Sequence, residues 1–262
     1  MNDLSPPAAG DVRPQPFRLA GTVAVVTGAA GGLGRAIARR LAREGCSVSA
    51  LDIAEMPGLE DEAGPGRIGV WRCDVTDAGQ VRRTVAEVAD RFDGLDILVN
   101  NAGLLSGRAS LLDTTPEEMR RFFDVNTVGA LLMVQACFPL LRDSAYRGRV
   151  VNVASRTFFT GAPGQLGYVA SKGALIGMTR VMARELGEHR ITVNAVMPAQ
   201  VATPGTRAHS GDEVFARTMG RQAIREFVTP EHFAGLVAYL ASPDGAMVTG
   251  QSLICDGGGY LH

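Results

Sequence analysis

Several patterns that would indicate metal, disulfide or nucleic-acid chemistry are missing from this sequence of 262 residues. Its four cysteines, at positions 46, 73, 137 and 255, include no CxxC pair, which predicts isolated buried thiols rather than a disulfide framework or a zinc site. Its four histidines form no HExxH motif and no i,i+4 pair, so no metal site is expected. Lys and Arg total 26 against 27 Asp and Glu, and the net charge of -1 argues against nucleic acid as the main partner.

Long apolar runs and a secretory signal are missing as well. No continuous apolar run approaches the roughly 18 residues that a membrane span needs, so no membrane partner is expected. The first residues, MNDLSPPAAGDVRPQP, are proline-rich and contain no apolar stretch. We interpret residues 1–18 as a flexible arm, and we expect a cytoplasmic protein.

Short apolar segments alternate with amphipathic ones along the rest of the chain. Hydrophobic residues make up 46% of the sequence, enough for a buried core, and 32 glycines indicate tight turns and close backbone contacts. The patterns predict strands at 22–27, 47–51, 67–73, 95–99, 149–153, 190–196 and 251–255, and helices at 34–44, 77–92, 116–142, 165–186 and 230–241.

This alternation predicts one doubly wound α/β domain over 19–262, with a mainly parallel seven-stranded sheet and helices on both faces. The stretch 199–228 is rich in proline and glycine and has no strand pattern. A long loop inside a compact domain is usually functional, so this stretch is predicted to be a substrate lid.

A glycine-rich turn follows the first predicted strand, and an acid ends the second. In the turn, TGAAGGLG, Gly28 permits a tight bend, Gly32 lets backbone approach a pyrophosphate, and Gly34 lets the following helix pack against the strand. Asp52, 18 residues after Gly34, is placed to accept hydrogen bonds from an adenosine ribose. The next residue is Ile53 rather than a cation. The pattern therefore predicts a Rossmann-type site for NAD and disfavours the 2′-phosphate of NADP.

Four polar residues further along form a candidate catalytic set. Tyr168 and Lys172 are four apart on a predicted helix and project from one face, where an ammonium would stabilise a phenolate and bring its pKa nearer neutrality. Ser155 follows the predicted strand 149–153, at the sheet edge where ligands bind. Asn126 lies in a predicted helical stretch, where an asparagine side chain competes with the helix for backbone hydrogen bonds. Each residue alone fits ordinary packing equally well, but the set behind a dinucleotide turn predicts proton transfer.

With these residues, the ordered motifs CDV, NNAG, YVASK, NAVMP, TGQ and DGG make residues 19–259 resemble the short-chain dehydrogenase/reductase family. The resemblance implies that Tyr168 is the general acid/base and that Ser155 orients the substrate oxygen. It implies that Lys172 lowers the pKa of Tyr168 and holds the nicotinamide ribose, and that Asn126 supports a water in a proton relay. It also implies a homotetramer that acts on a small-molecule substrate.

The resemblance further implies which residues contact NAD. In that scheme Asp74 and Val75 line the adenine pocket, and Val201 and Thr203 meet the nicotinamide carboxamide. The full implied set is Gly28, Gly31, Gly32, Leu33, Gly34, Asp52, Ile53, Asp74, Val75, Asn101, Ala102, Gly103, Tyr168, Lys172, Pro198, Val201 and Thr203.

The chain departs from the family pattern at two places. Ala199 stands where the family usually has glycine, and because alanine adopts a positive φ only at a cost, the backbone there is expected to differ. After Ser155 the chain has RTFF, where the family often has small residues. The pattern x-Thr-Phe-Phe-x-Gly-x-Pro is similar to bacterial members that oxidise ring alcohols, pyridoxal dehydrogenase among them, although a packed aromatic pair explains it equally well.

The substrate is predicted to be a cyclic or aromatic secondary alcohol, a ketone or a ring aldehyde. The residues predicted to form its pocket are Phe158, Phe159, Gln165 and His209. Arg156 is expected either to bind an anionic group of the substrate or to form a salt bridge. Two alternatives stay open. A 3-oxoacyl-carrier reductase would normally use NADP, which Asp52 disfavours, and a non-catalytic dinucleotide sensor would be expected to lack Tyr168 or Lys172.

Overall fold

The computed structural model describes residues 18–105, 109–201, 203, 206 and 211–261. Seven strands form one sheet in which every neighbouring pair is parallel, in the order β3-β2-β1-β4-β5-β6-β7. The strands are β1 (Val23–Thr27), β2 (Ser47–Asp52), β3 (Arg67–Arg72), β4 (Ile97–Asn100), β5 (Arg149–Val153), β6 (Thr192–Pro198) and β7 (Ser252–Cys255). The predicted doubly wound seven-stranded sheet is confirmed.

Helices cover both faces of the sheet. Those whose full range lies in the described residues are α1 (Gly32–Arg43), α2 (Ala78–Phe92), α3 (Pro116–Phe123), α4 (Gly129–Asp143), α5 (Thr157–Thr160), α6 (Leu166–Leu186), α7 (Asp212–Met219) and α8 (Pro230–Ala241). A π-helical turn, Asp124–Val128, joins α3 to α4, and short 3₁₀ turns lie at Glu60–Glu62, Gly187–His189 and Pro243–Gly245.

The element boundaries differ from the sequence predictions in a few places. Strands β4 and β6 begin two residues later than predicted, and α1 begins at Gly32 rather than at residue 34. The turn Glu60–Glu62 and the helices α5 and α7 were not predicted, because such short elements carry no apolar repeat long enough to recognise. Helix α7 lies inside the stretch predicted as a lid. Of the predicted arm 1–18, all but Arg18 lies outside the described residues.

Two apolar layers hold the helices against the sheet. On one face, Ile37 of α1 and Phe233 of α8 are fully buried against strand residues such as Val26. On the other face, Val85 of α2 and Met133 of α4 pack with their neighbours against the sheet. All four cysteines are free, and those at 46, 73 and 137 are buried, as the sequence predicts, whereas the one at 255 is half-buried.

The continuous helical run Pro116–Asp143 is long and apolar enough to cross a membrane by length and composition, with a mean hydropathy of 1.4 over its most apolar window. This differs from the prediction that no continuous apolar run is long enough to span a membrane. The mean hydropathy of a helix can stay high even where polar residues interrupt the run. Met133 and Leu141 of this run are fully buried in the protein core. Such burial is typical of a core helix.

Candidate active site

A large cleft opens at the carboxyl edge of the sheet, where the strand order reverses between β1 and β4. Ligands of open α/β sheets bind at such a reversal. The cleft has a volume of about 1190 Å³, somewhat above the range of about 300–1000 Å³ typical of small-molecule sites. It therefore has room for a ligand as large as a dinucleotide with a second, smaller molecule beside it.

The glycine turn between β1 and α1 forms one wall of the cleft. Gly28 has a φ of +66°, and a Cβ there would lie 2.7 Å from Cα of Ala102. A Cβ on Gly34 would lie 2.1 Å from the carbonyl oxygen of Gly28, so the turn closes only with glycine. Gly31 precedes α1 and offers no side-chain cap, which leaves the first N–H groups of the helix available to an anion. The five predicted turn residues that line the cleft are Gly28, Gly31, Gly32, Leu33 and Gly34.

Asp52 closes the adjacent end of the cleft. One carboxylate oxygen accepts a hydrogen bond of 2.9 Å from the backbone N–H of Ala30, and the other accepts one of 3.0 Å from Ala54. These bonds hold the carboxylate at the end of β2 beside the glycine turn. Ile53, Asp74 and Val75 line the same part of the cleft.

The segment after β4 is tied to the glycine turn through Thr27, a residue that the sequence analysis did not single out. The Thr27 hydroxyl accepts hydrogen bonds of 3.0 Å from the backbone N–H groups of Asn101 and Ala102. Asn101 Nδ2 in turn donates to the carbonyl oxygens of Thr27 and Gly28. Asn101, Ala102 and Gly103 all line the cleft. The sequence feature that could have identified Thr27 is its position at the end of a predicted strand, directly before the glycine turn.

Tyr168 and Lys172 reach the cleft from α6. Lys172 is buried, and its Nζ donates a hydrogen bond of 2.8 Å to the carbonyl oxygen of Val153. Burial lowers the pKa of Lys172 to about 8. Burial also raises the pKa of Tyr168 above its ordinary value, and a hydrogen bond from Ser155 opposes that rise. Desolvation is therefore the larger influence on the pKa of Tyr168 in this structure.

Ser155 follows β5 and is buried at the cleft wall. Its Oγ lies 2.8 Å from Oγ1 of Thr157, within hydrogen-bond distance, and it accepts a longer bond of 3.3 Å from the Thr157 N–H. Thr157 also lines the cleft. Thr157 was not predicted from the sequence, although a Ser-x-Thr spacing is one that allows such local side-chain bonds.

Asn126 lies in the π-helical turn between α3 and α4, which accounts for an asparagine within an apparent helix. Its Oδ1 accepts a hydrogen bond of 2.8 Å from the N–H of Leu104, and its Nδ2 donates one of 3.0 Å to Oγ of Ser171. A Cβ on Gly103 would lie 3.0 Å from Asn126 Oδ1 and 3.1 Å from Lys172 Nζ. Asn126 thus joins the cleft floor to α6. Single π-helical turns of this kind are frequent at functional sites.

The segment after β6 covers the glycine turn. Pro198, Val201 and Thr203 line the cleft, and a Cβ on Gly32 would lie 2.7 Å from the Thr203 side chain. Ala199 is absent from the described non-glycine residues with positive φ, and its N–H donates to the carbonyl oxygen of Cys255. The expected cost of alanine at this position is therefore not incurred.

The predicted substrate pocket is only partly reproduced. Gln165 lines the cleft, whereas neither Phe158 nor Phe159 is among the described residues that do so. The Phe158 ring packs against Gly173 of α6, and Phe159 stacks on Tyr260 with ring centroids 5.4 Å apart. The two rings also contact each other, with centroids 5.1 Å apart, which is the packed aromatic pair that the sequence equally allows. His209 lies outside the described residues.

Arginines give the remaining wall its charge. Arg156 donates to Oδ2 of Asp256 at 2.9 Å, which fits the predicted salt bridge, although the pair is largely buried rather than on the surface. A Cβ on Gly259 would lie 2.5 Å from Nη1 of Arg156, so that glycine leaves room for the guanidinium. Three further arginines of the cleft have no ion-pair partner in the described part of the chain: Arg121, Arg217 and Arg221. No cluster of metal-ligating side chains occurs among the residues that the structure describes.

Comparison with known proteins agrees with this geometry. Residues 28–260 match the family model described as enoyl-(acyl carrier protein) reductase. A (3R)-3-hydroxyacyl-CoA dehydrogenase of Canis lupus familiaris is 35% identical over 94% of this chain and 99% of its own length. A 3-oxoacyl-(acyl-carrier-protein) reductase of Thermotoga maritima is 36% identical over 92% of this chain and 99% of its own length. The crystal structure of a dehydrogenase/reductase from Sinorhizobium meliloti 1021 is similar with a TM-score of 0.86 and 36% identity, and covers 94% of this chain and 98% of that one.

Proposed function

Because the chain belongs to the short-chain dehydrogenase/reductase family, we propose that it transfers a hydride between NAD(H) and a secondary alcohol or ketone. The family is one of oxidoreductases that use a nicotinamide cofactor. The observation that carries the proposal is the meeting of Ser155, Tyr168 and Lys172 in one cleft with the glycine turn and Asp52.

The cleft fits a dinucleotide. The uncapped start of α1 and the close-packed glycines leave backbone N–H groups and space for a pyrophosphate, while the carboxylate of Asp52 lies at the end where a ribose diol would be bound. We propose NAD rather than NADP, because a 2′-phosphate near Asp52 would bring two negative charges together. When bound, the nicotinamide ring supplies the site that accepts or releases the hydride.

The chain's own residues would move the proton. In carbonyl reduction the Tyr168 hydroxyl gives its proton to the substrate oxygen, and in alcohol oxidation the same oxygen takes it back. Ser155, held by Thr157, donates a hydrogen bond to that substrate oxygen and so orients it. Lys172, buried beneath the site, provides a positive charge that favours the phenolate and a donor for the ribose. Asn126 fixes the π-helical turn against α6 and is proposed to support the proton path.

The ring substrate stays a prediction from the sequence, and the contacts of Phe158 and Phe159 with other protein groups add no support to it. A second candidate function is reduction or oxidation of a 3-oxoacyl or 3-hydroxyacyl thioester. It is favoured by the arginines Arg121, Arg217 and Arg221 along the cleft, since the carrier of such a thioester contributes phosphate groups that arginine binds well. We further propose a homotetramer in the cytoplasm, and sedimentation of the purified protein would check the assembly.

The test of the function is a substrate panel with both cofactors. Purified protein is mixed with NAD or NADP and with ring alcohols, linear secondary alcohols or 3-hydroxyacyl thioesters, and the absorbance of the reduced nicotinamide is followed. We expect turnover with NAD and a much lower kcat/KM with NADP. Equal or better use of NADP would refute the NAD assignment, and no turnover with any substrate would favour the dinucleotide sensor.

Replacing the acid sharpens the cofactor test. We expect Asp52→Ala to narrow the gap between NAD and NADP by about tenfold, because it removes charge-assisted hydrogen bonds to the ribose together with the repulsion of a 2′-phosphate. The measurement is kcat/KM for both cofactors in the variant and in the wild type. An unchanged ratio would mean that Asp52 does not set the preference.

A further inference from the structure

Two arginines lie at the adenosine end of the cleft. Arg35 and Arg39 are four residues apart on α1, so both project from one face, and both line the cleft together with Asp52 and Ile53. Guanidinium groups beside the ribose of an adenine nucleotide are well suited to bind a 2′-phosphate, because their planar donors match phosphate geometry. Their positions alone would therefore favour NADP, against the effect of Asp52.

A single carboxylate holds both arginines. Nη2 of Arg35 donates a hydrogen bond of 2.9 Å to Oε1 of Glu62, and Nε of Arg39 lies 2.8 Å from Oε2 in an ion pair whose angle is not that of a hydrogen bond. Arg35 also donates to the carbonyl oxygen of Pro57. The hydrogen bond from Arg35, followed by the charges of Arg39 and Arg35, holds the pKa of Glu62 below its usual value, so Glu62 carries its full charge at neutral pH.

Glu62 is held in place by the packing of its own segment. Glu62 is the last residue of the 3₁₀ turn Glu60–Glu62. Leu59, which directly precedes this turn, is fully buried, and Met56 of the same segment is buried too. Both residues belong to the apolar layer that contains α1. The carboxylate is therefore anchored to the helix that carries the arginines by apolar contacts that do not depend on the ion pairs.

We propose that Glu62 is a second determinant of cofactor choice, which together with Asp52 directs the cleft toward a ribose that lacks a 2′-phosphate. This inference rests on the proposed NAD(H) function. Glu62 accepts a hydrogen bond from Nη2 of Arg35, forms an ion pair with Arg39 and adds a negative charge at the adenosine end, so a 2′-phosphate would have to compete with a carboxylate for both guanidinium groups. The side chains of Arg35 and Glu62 are 29% and 28% exposed, so solvent screens the pair and the effect is smaller than that of a buried charge.

The test uses nucleotide fragments, so that it does not depend on turnover. Binding of 2′,5′-ADP and of 5′-AMP to the full chain is measured by calorimetry for the wild type and for Glu62→Gln. We expect the variant to bind 2′,5′-ADP about fivefold more tightly, the upper range for a screened ion pair, and to bind 5′-AMP within about twofold of the wild type. The gain should shrink as the salt concentration rises.

The matched control is Glu60→Gln, the same chemical change two residues away in the same turn. Glu60 makes no ion pair with any residue in the described ranges, so its removal lowers the net negative charge equally without releasing an arginine. We expect it to leave the ratio of the two affinities unchanged. A second test adds Arg35→Gln to Glu62→Gln, which should cancel most of the gain for 2′,5′-ADP.

Three outcomes would overturn the proposal: equal changes in the affinity for both fragments, the same gain from Glu60→Gln, or a gain that survives Arg35→Gln. If Glu62→Gln fails to fold, Glu62→Asp, which shortens the reach to both arginines, is expected to give a smaller gain of the same sign, and no gain would count against the proposal. A wild type that transfers no hydride yet shows the predicted fragment selectivity would refute the proposed function and support the role of Glu62.

Discussion

The two ends of the cleft are built in different ways. The cofactor end is made mostly of backbone. A Cβ added to Gly28 or to Gly34 would lie 2.7 or 2.1 Å from a backbone atom, and Asn101 Nδ2 donates to the carbonyl oxygens of Thr27 and Gly28. The substrate end is made of side chains from distant parts of the chain, such as the Arg156–Asp256 pair. The difference indicates that the cofactor end is intolerant of added atoms, whereas the substrate end can change its side chains without losing the turn.

The largest expected effect separates chemistry from binding. Tyr168→Phe keeps the ring and its edge contact with Phe122 but removes the transferable proton, so kcat should fall by about 10²–10⁴-fold while the dissociation constant of NAD stays within about twofold. Steady-state rates and NAD titration measure the two quantities. Tyr239→Phe, on α8 and outside the described lining of the cleft, serves as the control. Wild-type kcat in Tyr168→Phe would contradict the assigned role.

Replacing a glycine by alanine should be far more damaging at the cofactor end than elsewhere in the protein. Gly34→Ala places a Cβ 2.1 Å from the carbonyl oxygen of Gly28, so we expect a loss of stability of about 1–3 kcal/mol or more and a loss of NAD binding of at least about tenfold. Gly177→Ala, in α6 with nothing within 4 Å of the new Cβ, should stabilise the protein by about 0.5–1 kcal/mol. Thermal unfolding and NAD titration compare the pair, and equal behaviour of the two variants would refute the argument from close packing.

The pH dependence should differ between the two reactions. Because burial raises the pKa of Tyr168, its hydroxyl is protonated at neutral pH. Alcohol oxidation needs the deprotonated form, so its kcat/KM should rise by up to about tenfold per pH unit below that pKa, whereas carbonyl reduction should not gain from added base. Profiles in both directions measure this behaviour. Parallel profiles would indicate that another group supplies or takes the proton.

The smallest expected effect lies at the substrate end. Phe158 is 44% exposed, its ring packs on Gly173, and it is not among the described residues that line the cleft. Phe158→Ala should therefore leave the ranking of substrates in a kcat/KM panel unchanged within about twofold, with a stability loss well below the roughly 3–5 kcal/mol of a buried phenylalanine. A changed ranking would restore the aromatic wall that the sequence predicts.

Local patterns were enough to predict most of the fold and the cofactor end. The period of apolar residues gave the seven strands and the main helices, because one face of each element must be buried. The glycine turn and Asp52 are adjacent in space because parallel strands end at the same edge, and this follows from topology alone. The helix α5 and the hydrogen bond of Ser155 to Thr157 were not predicted, since neither has a periodic signal.

The substrate end depended on contacts that no local pattern contains. Phe158 and Phe159 follow Ser155 closely, so their sequence positions suggested a pocket wall, but the turn of α5 directs one ring to Gly173 and the other to Tyr260. Arg156 meets Asp256, 100 residues later in the chain, because Asp256 directly follows β7, which pairs with β6.

The sequence by itself determined the doubly wound α/β fold, the glycine turn and the spacing of Tyr168 and Lys172. Each of these depends on neighbours within a few residues and on the rule that parallel strands end at one edge. Only the tertiary structure decided which side chains face the cleft, how far burial lowers the pKa of Lys172, and that Glu62 forms ion pairs with Arg35 and Arg39. Burial and ion pairing depend on distances between segments far apart in the chain, and these distances are set only when the whole core packs.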